Sequence, residues 1–256
     1  MADLKLSACI EMIFNNVPEF VDRIDRVAQC GLPAFEFWGW HGKNLTAIRE
    51  RADKLGLTIA AMGCDSSGAL VDPDNTDAWV AGARESIAQA KEFRVPTVIV
   101  TTGNEMAIPR EKQHAAIVAG LKGAAPGAEA QGINLVLEPL NILVDHRGYY
   151  LSTSTEGFEI LREVGSPRVK LLYDIYHQQI TEGNLIQTIT RNIDLIGHFH
   201  LADVPGRHEP GTGEINYVSI FRAIASTSYG GFVGLEFAPT GDHAAALAST
   251  RKIAGL

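Results

Sequence analysis

Gly197-His198-Phe199-His200-Leu201-Ala202-Asp203 is preceded by the apolar residues Ile193, Leu195 and Ile196 and followed by Arg207 and the loop Glu209-Pro-Gly-Thr-Gly-Glu-Ile215. The apolar residues read as a buried strand, so the polar ones fall where that strand runs out, and a parallel barrel keeps its chemistry at that end. Three other apolar runs of strand length close on a carboxylate in the same way. Ile133 to Leu137 ends at Glu138, Val169 to Tyr173 at Asp174, and Phe232 to Leu235 at Glu236. Four strand ends bearing four potential metal ligands are the pattern to be explained.

Outward from that stretch, short β-like runs alternate with longer amphipathic segments over the whole chain, with no linker and no low-complexity stretch. Strands are expected at Leu4 to Ile10, Ala34 to Trp38, Leu57 to Met62 and Val95 to Thr101 before the four already named. Between them Phe20, Ile24 and Val27 follow helical spacing up to a Gly31 stop. Leu45, Ile48, Ala52 and Leu55 do so up to Gly56. A long helix follows Asp72-Pro-Asp-Asn-Thr, and another runs from Ile108 towards Gln131. Gly120, Gly123, Pro126 and Gly127 predict a kink or break in the latter. Later helices are expected at Ser154 to Val164, Asn184 to Asn192, Asn216 to Ala225 and Asp242 to Ile253. Eight such pairs predict an α/β protein, a single (β/α)8 TIM barrel domain over residues 1–256, close to the roughly 250 residues this architecture needs. An open doubly wound sheet lacks support, because neither a Gly-x-Gly-x-x-Gly turn after the first strand nor a phosphate-binding loop is present.

Composition narrows the function. Apolar residues make up 46% and charged residues 20%, the balance of a globular chain with a sizeable core. Met-Ala-Asp-Leu-Lys at the start has no hydrophobic signal core and no apolar run is long enough to span a bilayer, so a cytoplasmic protein without membrane contact is expected. Cys9, Cys30 and Cys64 are an odd number at wide spacing and read as reduced thiols filling apolar space. A net charge of -8 without a basic run disfavours nucleic acid as a partner.

Glu138, Asp174, His200 and Glu236 would aim into one mouth from four neighbouring strands. Three carboxylates confined there would repel one another unless a cation joined them. A mostly oxygen shell with one imidazole suits a divalent metal cation, Mg2+ or Mn2+ first, with Co2+ and Zn2+ admitted by the histidine. Such an ion polarises a carbonyl, and a base and an acid beside it suit proton transfer through an enediolate; Glu138 and Glu236 are the candidates for both roles. His177, in a loop three residues past Asp174, and Arg207 are candidates to bind substrate, with a salt bridge to Glu209 or Glu214 as the alternative for the arginine. His198 is expected to point away from the mouth as a packed histidine. Glu11, Phe14, Trp38, Trp40 and His41 could wall the substrate, and Asp145-His-Arg-Gly-Tyr-Tyr150 reads equally as a lid or as the contact of a homo-oligomer.

Leu137-Glu-Pro-Leu-Asn141, Tyr173-Asp-Ile-Tyr-His177, Ile196-Gly-His, Ala202-Asp203, Glu209-Pro-Gly-Thr-Gly-Glu-Ile-Asn-Tyr217 and Gly234-Leu-Glu236 together resemble the hydroxypyruvate isomerase family of the xylose isomerase-like barrel superfamily. The likeness is closest from Gln131 to Phe237. It implies a TIM barrel that interconverts hydroxypyruvate and 2-hydroxy-3-oxopropanoate, with Glu138 and Glu236 as proton donor and acceptor. Related ketose 3-epimerases imply a divalent metal on Glu138, Asp174, His200 and Glu236, with His177 and Arg207 against the substrate. Members of the isomerase family can carry Gln where this chain has His200. A ketose 3-epimerase, or an isomerase of 2-oxo-tetronates or sugars using the same site, is therefore the alternative.

Overall fold

Apolar runs short enough to be strands, each followed by a segment of helical periodicity, can bury both faces by closing the strands into a ring inside the helices. The computed structural model, which describes residues 4–256, has that architecture; the part of the N-terminal reading that falls on Met1 to Asp3 lies outside the described residues. Strands β1 (Lys5–Cys9), β2 (Ala34–Phe37), β3 (Thr58–Gly63), β4 (Thr97–Val100), β5 (Asn134–Leu137), β6 (Val169–Asp174), β7 (Ile196–Leu201) and β8 (Phe232–Leu235) pair in parallel in chain order. β8 closes on β1, with Ser7 opposite Gly234.

Helices α1 (Phe20–Gln29), α2 (Leu45–Leu55), α3 (Thr76–Glu92), α4 (Arg110–Gln131), α5 (Ser154–Val164), α6 (Ile175–Thr181), α7 (Leu185–Arg191), α8 (Tyr217–Ala225) and α9 (His243–Ala254) lie around the ring. Local chemistry sets their ends. Thr153 caps α5 by accepting from the Glu156 N–H, and Gly56, Gly132 and Gly165 take the left-handed conformation that stops α2, α4 and α5. Among the described residues no helix is long and apolar enough to cross a membrane.

Alternation along the strands divides two cores. Leu6, Phe35, Phe37, Leu135, Leu137, Leu171, Tyr173, Phe199, Leu201, Val233 and Leu235 pack outward under the helices. The residues between them fill the lumen. There Ala61, Ile99, Val136 and Leu172 form an apolar half, while Ser7, Glu36, His198 and His200 form a buried polar half.

Three expectations change. Ile193–Leu195 form a single turn of 3-10 helix instead of opening the seventh strand, which begins at Ile196. His177 stands on α6, a helix that starts directly after Asp174, and not in a loop. The break expected in α4 is absent: the helix runs unbroken through Pro126. Its small residues are packing devices, since a Cβ on Gly120 would meet Leu70 at 2.5 Å and one on Gly123 would meet Val80 at 2.7 Å. Close approach to α3 outweighs the one backbone bond that Pro126 removes.

Candidate functional site

Glu138 is the first residue after β5, Asp174 ends β6, His200 lies one residue inside the end of β7, and Glu236 follows β8. The structure brings these four together at the C-terminal mouth. One ligand atom from each lies within 4.8 Å of the others, and all four side chains are buried. Above them opens a cavity of about 330 Å3, lined among others by Trp38, Cys64, Thr101, His146 and Arg207.

His200 fixes the character of this cluster. Its Nε2 is 2.6 Å from Glu36 Oε1, while Nδ1 lies 3.5 Å from both Glu138 and Glu236, buried and without a hydrogen-bond partner. Burial works against its charge, but Glu236 and Glu36 raise its pKa well above the ordinary histidine range. Burial alone would raise Glu36; the charges and hydrogen bonds of His198 and His200 instead hold its carboxyl at about 2. A buried, unpartnered ring nitrogen facing carboxylates is the donor set that a divalent cation completes, so these residues fit such an ion.

Asp174 divides its two oxygens. Oδ1 accepts the N–H groups of Tyr176 and His177 at 2.7 and 3.2 Å and so caps α6, which leaves Oδ2 to the cluster. Burial holds its carboxyl above the usual range. His177 is fully buried, and burial lowers its pKa to about 4, so the ring is neutral at neutral pH. Its Nδ1 accepts from the Asn141 amide at 2.7 Å, which makes Nε2 the N–H. That nitrogen is 3.6 Å from Asp174 Oδ2 and takes no hydrogen bond within the protein, leaving a donor for a bound molecule.

Glu236 is engaged at both oxygens, by Trp38 Nε1 at 2.8 Å and by the Arg207 guanidinium. Burial opposes its ionisation, yet His200, Arg207 and Trp38 bring its pKa far below the ordinary carboxylate range. Arg207 thus pairs with neither Glu209 nor Glu214. Glu209 clamps Thr240, Glu214 accepts from Gln179, and Arg207 lies over the Tyr176 ring with its Nε unpartnered. Asp203 shapes the loop that carries it, accepting the N–H groups of Val204, Gly211 and Ile215.

His198 corrects a reading of strand geometry. Residues two apart on a strand share a face, so His198 points into the lumen with His200, one layer deeper, and its Nε2 is 3.1 Å from Glu36 Oε2. Of the expected aromatic wall only Trp38 lines the cavity. Trp40 is buried against Ser86, His41 stacks on Trp40, Phe14 stacks on His243, and Glu11 pairs with Lys43. Sequence reasoning missed Glu36, although Phe35 and Phe37 on either side signal that it faces the lumen. The segment after β5 folds over the site: His146 lines the cavity, and the Tyr149 hydroxyl accepts from Thr102 N and donates to the Glu138 carbonyl.

Comparison with known proteins agrees with this architecture. The family model described as xylose isomerase-like TIM barrel matches residues 24–253. The chain is 32% identical to hydroxypyruvate isomerase of Escherichia coli (strain K12), over 92% of this chain and 94% of that protein. It is also 32% identical to 2-oxo-tetronate isomerase of Cupriavidus necator, over 95% and 96%. A crystal structure described as AP endonuclease, family 2 from Brucella melitensis superposes with a TM-score of 0.92 at 25% identity, covering 97% of this chain and 98% of that one.

Proposed function

We propose that this enzyme, which belongs to the hydroxypyruvate isomerase family of xylose isomerase-like TIM barrels, moves a proton between adjacent carbons of a small hydroxy-carbonyl compound, with hydroxypyruvate and 2-hydroxy-3-oxopropanoate as the first pair. The observation that carries this reading is the buried cluster of Glu138, Asp174, His200 and Glu236 at the floor of the cavity. These four residues would hold a divalent cation, Mg2+ or Mn2+ by the predominance of oxygen ligands. When bound, the ion supplies Lewis-acid polarisation of a carbonyl oxygen.

The protein's own groups do the rest. Glu236, held ionised by Trp38 and Arg207, takes a proton from the hydroxymethyl carbon. The electron pair left behind moves onto the carbonyl oxygen and gives an enediolate. Glu138, drawing a proton from solvent in the cavity that it lines, delivers it to the former carbonyl carbon, and the hydroxyl proton passes to the other oxygen. Glu236 returns its proton to solvent, so that aldehyde and alcohol have exchanged places with no net change in protons. His177 Nε2–H donates to a substrate oxygen, and Arg207 Nε is free for a carboxylate even while its terminal nitrogen holds Glu236. A four-carbon oxo-acid or a ketose, isomerised or epimerised by the same two glutamates, is the second reading. It is favoured by a cavity of about 330 Å3, roomier than a three-carbon acid needs.

Incubation with hydroxypyruvate, 2-oxo-tetronates, ribulose and tagatose in the presence of Mg2+, Mn2+ or Co2+, with products identified by NMR, tests the reading. Turnover of hydroxypyruvate supports the first pair, and turnover of the longer compounds alone moves the assignment to the second. No conversion of any of them with any ion refutes both.

A further inference from the structure

The lumen layer beneath the cluster holds a charged group to which the reaction gives no part. Glu36, in the middle of β2, is 1% exposed and is the acceptor at the centre of four strands. Its Oε2 accepts from the Ser7 hydroxyl on β1 and lies 3.1 Å from His198 Nε2 on β7; its Oε1 lies 2.6 Å from His200 Nε2. On β8 the neighbouring position is Gly234, where a Cβ would meet the Glu36 carboxylate and lie 2.6 Å from His200 Cδ2. Any side chain at 234 would fill the space in which carboxylate and imidazole meet. Isolated charge is costly in a barrel interior, and a stabilising lumen is ordinarily built from apolar residues such as Ala61, Ile99, Val136 and Leu172 in its other half. Four strands here are committed to holding one carboxylate against one ring nitrogen of His200.

We propose that Glu36 is a positioning residue that sets how His200 meets the ion: by holding the Nε2–H it leaves Nδ1 as the ring nitrogen turned towards Glu138, Asp174 and Glu236. This rests on the reading that the cluster holds a divalent cation. An imidazole can offer a lone pair from only one nitrogen when the other carries a proton, and a hydrogen bond from the second nitrogen fixes both tautomer and ring angle. The geometry supplies that bond on the side away from the cluster, while the nitrogen facing it has no partner in the protein. Ser7 and His198 keep the carboxylate from turning, since both engage the other oxygen.

Replacing Glu36 by Gln separates these contributions, because an amide has one acceptor oxygen and cannot accept from His198 and His200 through different atoms. The experiment is a Mn2+ titration followed by electron paramagnetic resonance on wild type, Glu36→Gln and Gly234→Ala, each with its melting temperature. Nitrogen-15 NMR of the His200 side chain in the Mg2+-loaded wild type accompanies it. Wild type is expected to bind Mn2+. Glu36→Gln is expected to bind it about tenfold to a hundredfold more weakly, the range usual for partners of metal-ligating histidines, and Gly234→Ala to weaken it by displacing the pair without altering charge. The NMR is expected to show His200 protonated at Nε2 and bare at Nδ1. A folded Glu36→Gln variant with wild-type affinity overturns the proposal, since a merely structural carboxylate would change melting and not affinity. A proton found on Nδ1 in the loaded wild type overturns it without recourse to any variant. Failure of wild type to bind Mn2+ refutes instead the reading on which it rests.

Discussion

Trp38 Nε1, reaching over the mouth from the end of β2, donates to Glu236 Oε1 at 2.8 Å. The other oxygen of Glu236 is taken by Arg207, so this carboxylate is aimed from two sides while the indole itself stays half exposed to the cavity. A hydrogen bond to a charged group contributes about 1.5 to 3 kcal/mol. Trp38→Phe keeps an aromatic surface and removes the donor, so kcat/KM is expected to fall roughly tenfold to a hundredfold. Steady-state kinetics on the substrate found by the NMR screen checks this, and an unchanged kcat/KM would show that the indole only walls the cavity.

Glu138, Asp174 and Glu236 were legible because each closes an apolar run, and a buried parallel strand leaves little choice about where its last polar residue goes. His200 lies inside β7, one residue before its end, and was legible from the polar residues that follow Ile196. Their partners were not. Arg207 meets Glu236 through a loop whose course depends on Asp203 and on a left-handed backbone at Arg207 itself, where φ is 58°, and neither is visible as periodicity. His198 is the packed, buried histidine expected, but residues two apart on a strand share a face, so it points into the lumen beneath His200. The break expected in α4 fails for another reason: local propensity counts glycines as breakers, whereas Gly120 and Gly123 face α3 and record a tertiary contact that the sequence of one helix does not contain.

Cys64 lines the cavity within the reach of a substrate, yet it is a poor nucleophile. Burial pushes its thiol up to about 11, with hydrogen bonds to Ser86 and Ser66 offsetting only part of the rise. At pH 8 only about one thiol in a thousand is then ionised, against about one in four for an unperturbed cysteine. Alkylation of Cys64 by iodoacetamide, followed by peptide mass spectrometry, should therefore be on the order of a hundredfold slower than that of a free peptide thiol at pH 8. It should accelerate about tenfold per pH unit as the pH approaches 11. Rapid labelling at pH 8 would contradict this and admit covalent chemistry at the mouth.

The clustered side chains of Glu138, Asp174, His200 and Glu236 exist as one donor set only in the folded chain, so a cation that they hold should stabilise the fold. An ion at a hundred times its dissociation constant stabilises the folded state by about 2.7 kcal/mol. For a domain of this size that corresponds to a rise in Tm of roughly 5 to 10 °C. Calorimetric scans should show Tm climbing with Mn2+ concentration and returning to its lower value on chelation. Asp174→Asn should weaken that response, because the amide lowers the negative charge while its oxygen can still cap α6. A Tm indifferent to Mn2+ and to chelator would remove the ion from the site.

Glu138 and Glu236 differ in their surroundings, and the difference should appear in isotope exchange. Glu236 is aimed by donors at both oxygens and kept ionised, so it is available to accept a proton from carbon, although the same donors lower its basicity. Glu138 borders the cavity, and its side chain is paired with no arginine or lysine among the described residues. Its backbone carbonyl, by contrast, is fixed by Tyr149. Changing either to Gln preserves size and removes the proton carrier, and loss of one positioned acid or base typically costs on the order of 10² to 10⁴ in rate. Both variants should lose turnover by that amount while still binding Mn2+, less tightly than wild type. In deuterium oxide, Glu138→Gln should still wash the proton from the donor carbon of the substrate, since Glu236 can remove it and exchange slowly, whereas Glu236→Gln should leave that carbon protonated. Mass spectrometry of recovered substrate distinguishes the two. Exchange in Glu236→Gln and none in Glu138→Gln would reverse the roles, and full turnover in both variants would refute a mechanism based on these glutamates.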